Sequence, residues 1–189
     1  QTNSLGLLPT GGGKSLCFQL TSSLQLGCCI VICPIKALMR DHVQELDKIG
    51  FNNRSAFITS DEKSWQKNET FKKLRESKLQ FIFISPERFQ NHDFRDTITT
   101  LINRNLISYI VLDEVHCLSE WGHDFRPSYL ALSNTLFSIL KLKTPVISLT
   151  ATASLAVLKN IKTELNLDDL DVVYRMHNSR EELNFKIMY

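Results

Sequence analysis

Apolar residues fall along this chain in short blocks that alternate between two spacings. Cys28 to Cys33, Phe81-Ile82-Phe83-Ile84, Tyr109-Ile110-Val111-Leu112 and Pro145 to Leu149 are continuous bulky runs, the pattern of short strands buried on both faces. Ser4-Leu5-Gly6-Leu7-Leu8 is a further such run that stops at Pro9, and Arg54 to Ile58 is a weaker one. Between these blocks the spacing becomes helical: Leu38, Met39, Val43 and Leu46; Phe94, Ile98, Leu101 and Ile102; Tyr129, Leu132 and Leu136 with Ile139 or Leu140; Leu155, Leu158, Ile161 and Leu165. A helix after Lys14 carries Leu16, Cys17, Phe18, Leu20 and Leu24, apolar on most of its surface, as expected for packing beside a sheet, and Gly27 stops it. Gly50 closes the next helix, and Pro127 sits where a later one begins. The polar segment Asp61 to Lys78 reads as a solvated helix face, with Trp65 as its packing anchor.

Strand and helix alternate almost to the end, which predicts an α/β fold: a mostly parallel sheet with helices on both faces. With 189 residues and no internal repeat or long linker, one domain over 1–177 is expected. Residues 178–189 leave the rhythm and read as a connector towards something further.

Composition adds mainly exclusions. No apolar run approaches the roughly 18 residues of a membrane span, and no basic-then-apolar leader opens the chain, so an intracellular, non-membrane protein is expected, cytoplasmic (nucleoid) or nuclear. A formal net charge of +2 is too small to identify a nucleic-acid partner by itself. The five cysteines form no C-x-x-C pair and sit among apolar residues, which predicts buried free thiols in a reducing compartment.

Chemistry enters at Pro9-Thr10-Gly11-Gly12-Gly13-Lys14-Ser15, between a strand and a helix. Glycines let backbone N–H groups turn inward around phosphate, and the helix that follows offers its positive end. Thr10, Gly11, Gly12, Gly13, Lys14 and Ser15 are the expected nucleotide contacts, with Lys14 on the terminal phosphates and the Ser15 hydroxyl on Mg²⁺. Leu8 stands where the general phosphate-loop pattern has its first glycine. Asp113 and Glu114 directly follow a buried strand, and ligands of an open parallel sheet gather outside that end. Asp113 is expected to hold Mg²⁺ through water, and Glu114 to polarise the water that attacks the γ-phosphate. Thr150-Ala151-Thr152 ends another strand at the same expected edge.

Together with Ser85-Pro86-Glu87-Arg88 and Asp113-Glu114-Val115-His116, these motifs resemble superfamily 2 helicases, whose paired RecA-like P-loop NTPase domains move along nucleic acid using ATP. The loop Cys117 to Tyr129, with Trp121-Gly122-His123-Asp124-Phe125-Arg126-Pro127, resembles the aromatic-rich loop of RecQ DNA helicases, and Pro34 to Asp41 is similar to that family's motif after the second strand. Val115 replaces the alanine common in the Asp-Glu-Ala-His box, and Glu120 stands where many members have glutamine.

The resemblance implies the first RecA-like domain of an ATP-dependent DNA helicase working 3′ to 5′ in DNA repair or recombination, on single-stranded and duplex DNA. A second RecA-like domain of the same full-length chain would be its partner. It assigns Trp121, Phe125, Arg126, Ser85 and Arg88 to DNA, and His116, Thr150 and Thr152 to coupling DNA with the nucleotide site. Aromatic faces stack on any base and arginine pairs with phosphate without reading sequence. From composition alone Trp121 and Phe125 read first as core aromatics, and their position directly after the Asp-Glu-x-His box turns the reading towards DNA. The family's adenine-recognising glutamine lies upstream of the phosphate loop, and its arginine finger lies in the second domain; neither is in this sequence. A non-hydrolysing ATP-gated scaffold and an RNA helicase of the same superfamily are the alternative readings.

Overall fold

The structure, a computed structural model, describes residues 3–59, 61–120, 124–136 and 144–174. Seven parallel strands form one sheet: β1 (Ser4–Leu7), β2 (Cys28–Ile32), β3 (Ser55–Ile58), β4 (Phe81–Ile84), β5 (Ile107–Leu112), β6 (Val146–Thr150) and β7 (Val172–Tyr174), in the order β3-β4-β2-β5-β6-β1-β7. Among the described residues six α-helices connect them: α1 (Lys14–Ser23), α2 (Lys36–Lys48), α3 (Ser64–Arg75), α4 (His92–Asn103), α5 (Pro127–Asn134) and α6 (Leu155–Leu165).

The two faces of the sheet come from the period of two along each strand. In β2, Ile30 and Ile32 point into a core shared with Leu74, Phe94, Tyr129 and Ile161 from α3, α4, α5 and α6. Cys29 and Val31 point the other way, towards Phe18 of α1 and Met39 and Leu46 of α2. Helices therefore cover both faces, as the alternation predicts, and the central strands need bulky residues at every position.

Several sequence expectations are corrected. Trp65 is 62% exposed and anchors no core; α3 packs through Leu74 and Phe71 instead. Only Phe18 and Ser22 of α1 are buried, and Leu16, Leu20 and Leu24 face outward, because a helix beside a sheet buries one stripe however many apolar residues it carries. Leu155 is 87% exposed, and Val157 takes its place on the buried face of α6 with Ile161 and Leu165. Cys17 is exposed, while Cys28, Cys29, Cys33 and Cys117 are buried free thiols. The edge strand β7 carries too short a run to be read from the pattern. Ile139, Leu140 and the 178–189 connector lie outside the described residues.

Because all seven strands run the same way, the segments that follow β1, β4, β5 and β6 leave one edge of the sheet together. Tyr129 fastens that edge from beneath: its fully buried hydroxyl donates to the carbonyls of Asp113 (2.7 Å) and Ile32 (3.3 Å) at the ends of β5 and β2. Tyr129→Phe should lower stability by about 1–2 kcal/mol, read as a shifted urea midpoint at unchanged m-value.

Candidate nucleotide and coupling site

The loop after β1 is shaped by its glycines. Gly11 (φ 76°) and Gly13 (φ 86°) adopt left-handed backbone that side chains disfavour, and the Gly12 N–H donates to the Pro9 carbonyl at 2.8 Å. A Cβ on Gly12 would meet that same carbonyl oxygen at 2.8 Å, so the tight turn excludes every other residue. Gly13 is also the N-cap of α1, and no side chain caps the helix. Its first N–H groups and positive end therefore face the hollow of the loop, a cradle that suits phosphate.

Lys14 opens α1 and places Nζ 3.3 Å from Glu114 Oε1. Glu114 follows β5 by two residues and takes left-handed backbone (φ 49°, ψ 47°), which turns its side chain back over the sheet edge. A non-glycine residue held there stores strain of about 1–3 kcal/mol. Its other oxygen lies 3.2 Å from His116 Nδ1, and His116 Nδ1 lies 2.8 Å from Thr150 Oγ1. The Thr150 hydroxyl donates to the Thr152 carbonyl at 3.1 Å and accepts from the Thr152 N–H at 3.3 Å. With the hydroxyl proton committed to Thr152, the imidazole is the donor towards Thr150. A continuous polar chain thus runs Lys14, Glu114, His116, Thr150, Thr152, from the end of β1 across β5 to the end of β6.

The Glu114 carboxyl is held below the usual carboxylate range, first by the His116 hydrogen bond and further by Lys14, against the opposing effect of burial. It is ionised at neutral pH. A depressed acid stabilises the fold above its unfolded pKa of about 4.3, and that contribution is lost as pH falls through the lowered folded value. Wild-type protein should therefore lose more stability than His116→Ala between neutral pH and acid, measured by urea midpoints at each pH.

Asp113 is 5% exposed. Its Oδ1 accepts the Glu114 N–H at 3.0 Å, and its Oδ2 lies 3.6 Å from His42 Nε2. Ser15 and Asp113 are oxygen donors of the kind Mg²⁺ takes, flanking the phosphate cradle, so the residues present fit a Mg²⁺-bound nucleotide. His42 belongs to none of the sequence motifs. The signal was available: it lies three residues after Met39 and four before Leu46, on the buried stripe of α2.

The residues assigned to DNA are placed less uniformly. Ser85 and Arg88 leave the end of β4, where Arg88 lies over the Phe94 ring at 5.7 Å and its charge is felt by Glu62. Phe125 is half-buried. Arg126 turns inward, donating to the Pro34 carbonyl at 2.7 Å and approaching Asp124 at 3.7 Å. Trp121 lies outside the described residues.

Against known proteins, the DEAD/DEAH box helicase family profile matches residues 1–161. This chain belongs to the DEAD/DEAH box helicase family. It is 36% identical over 186 residues to the ATP-dependent DNA helicase RecQ of Bacillus subtilis (strain 168), covering 98% of this chain and 30% of that protein. It is 35% identical over 184 residues to the ATP-dependent DNA helicase Q5 of Mus musculus, covering 96% of this chain and 18% of that protein. This helicase-family chain thus spans less than a third of the length of either relative. Among solved structures, the helicase domain of Pyrococcus furiosus Hef aligns with a TM-score of 0.63 at 21% identity, over 94% of this chain and 36% of that one. That match supports the fold: a helicase RecA-like domain. Among the described residues no helix is long and apolar enough to cross a membrane.

Proposed function

We propose that residues 1–177 are the first RecA-like motor domain of a RecQ-type helicase that hydrolyses ATP when single-stranded DNA is bound and translocates 3′ to 5′ to unwind duplex. The observation that carries this reading is the polar chain from Lys14 through Glu114, His116 and Thr150 to Thr152. It joins the phosphate cradle to the loop after β6, so a movement at either end is felt at Glu114. Residues 178–189 would lead to a second RecA-like domain of the same protein.

In this reading Lys14 releases Glu114 and turns to the terminal phosphates, while the helix end and loop N–H groups hold the remainder. Ser15 and Asp113 would hold Mg²⁺, which would supply positive charge to the phosphates. Glu114, freed and ionised, accepts a proton from the attacking water. Thr10, Gly11, Gly12 and Gly13 line the cradle. Trp121, Phe125, Arg126, Ser85 and Arg88 face DNA; Arg126 must leave Pro34 to pair with a phosphate, which makes its engagement conditional on the strand.

The test is ATP hydrolysis by the full-length protein with single-stranded DNA, single-stranded RNA or neither. Stimulation by DNA well above that by RNA is expected, and equal stimulation by RNA would move the substrate class. In Phe125→Ala, DNA stimulation should be lost while ATP binding stays within a few-fold of wild type. Equal loss of both would return Phe125 to ordinary packing.

A further inference from the structure

We propose that Cys33, His42 and Asp113 form a second cation site, suited to a thiophilic transition ion such as Zn²⁺, which takes Asp113 away from the nucleotide site when filled. The Cys33 thiol, a His42 ring nitrogen and an Asp113 carboxylate oxygen all lie within 4.8 Å of one another. The three residues are 0%, 9% and 5% exposed.

Three separate elements fix the site. Cys33 and Asp113 are the residues immediately after β2 and β5, neighbouring strands whose last pair is Ile32 with Leu112, so their backbones stand side by side. His42 comes from α2, and its ring is clamped, stacked on Phe83 (centroids 5.2 Å, 10°) and against the edge of Phe18 (5.8 Å, 77°). Its Nε2 faces Asp113 at 3.6 Å. On the far side of the ring, Nδ1 is buried without a hydrogen-bond partner, and Glu45 Oε2 stands 4.0 Å away, just under one turn along α2. A carboxylate behind a histidine is the usual support for a metal-bound imidazole: it fixes the tautomer and strengthens the metal-facing nitrogen.

The donor set selects the ion. Thiolate, imidazole and carboxylate together suit Zn²⁺ or Co²⁺, with a fourth position left for water, whereas Mg²⁺ takes oxygen donors alone. Bonds of roughly 2.0–2.3 Å require the Cys33 and Asp113 side chains to close on the clamped ring by small rotations. The ion is bound by the thiolate, so the Cys33 proton leaves to solvent as it enters. The consequence for ATP rests on the proposed role of Asp113: a carboxylate held by Zn²⁺ no longer supports Mg²⁺ at the phosphates.

Co²⁺ added to the 189-residue chain without Mg²⁺ or nucleotide reads the site directly. Near-ultraviolet thiolate-to-cobalt absorption saturating at one ion per chain is expected, lost in Cys33→Ser and kept in Cys17→Ser and Cys117→Ser. Glu45→Gln, a substitution at the surface that leaves the core intact, should weaken Co²⁺ binding by about tenfold to a hundredfold. Absorption that survives Cys33→Ser, disappears in Cys117→Ser, or is indifferent to Glu45→Gln overturns the site. Zn²⁺ should then block ATP binding in wild type and spare Cys33→Ser. Cobalt bound at Cys33 with ATP binding untouched by Zn²⁺ would leave the cation site standing and overturn the shared use of Asp113.

Discussion

Replacing Glu114 by glutamine should lower ATP turnover of the full-length protein by about 10²–10⁴-fold while the KM for ATP stays within a few-fold of wild type. Glutamine has the shape of glutamate, so its amide carbonyl can keep the His116 contact and the loop backbone need not change. What disappears is a base. The carboxylate is ionised at neutral pH because His116 and Lys14 hold it so, and an amide has no proton affinity to offer a water molecule. Lys14 meanwhile loses its partner at 3.3 Å and is freer to meet phosphate, so binding should be kept or tightened. Steady-state turnover together with equilibrium ATP binding separates the two effects. Turnover within a few-fold of wild type would remove Glu114 from the reaction.

The second large effect is expected from the chain by itself. Its 189 residues should bind ATP weakly and hydrolyse it at least about 10³-fold more slowly than a longer protein that carries the proposed second RecA-like domain, and should not unwind duplex DNA. The electrostatics give the reason. The cradle brings Lys14 to the phosphates, but Asp113 and Glu114 stand beside it, and Arg126 is spent on Pro34 and Asp124. Among these described residues only Lys14 is turned to the phosphates, and a further cation supplied by a second domain is typically worth 10³–10⁵ in rate, about 4–7 kcal/mol. Titrating single-turnover rates of both proteins would show the gap. A chain that hydrolysed ATP alone at the rate of the longer protein would overturn the division of labour.

The architecture was legible because central parallel strands must be apolar at every position, which leaves unmistakable runs such as Ile30-Val31-Ile32 and Phe81-Ile82-Phe83-Ile84. Lys14, Glu114, His116 and Thr150 were legible as motif residues, and the structure brings them within hydrogen-bonding or ion-pair reach in one chain. What the sequence could not convey was facing. Trp65 and Leu155 are apolar yet exposed, since helical spacing admits more than one stripe and only the packed sheet selects among them. His42 and the Tyr129 hydroxyl escaped for a related reason: both sit on buried stripes, where their apolar bodies satisfy the pattern and their polar tips are silent until the strand ends they touch are known.

The backbone strain is distributed unequally between the two ends of the strands. Before β2, β3, β4, β5 and β7, left-handed turns at Gly27, Gly50, Asn53, Ser77, Asn105 and Asn166 lead the chain into the next strand. At the opposite end the left-handed residues, among those described, are Gly11, Gly13 and Glu114, all around the phosphate cradle. The turns at Ser77 and Asn105 are exposed, and six-residue β5 puts roughly 20 Å between them and Asp113. They are therefore the natural attachment points for a dye or a surface tether, where a single molecule could be held for optical recording with its working end turned to solution.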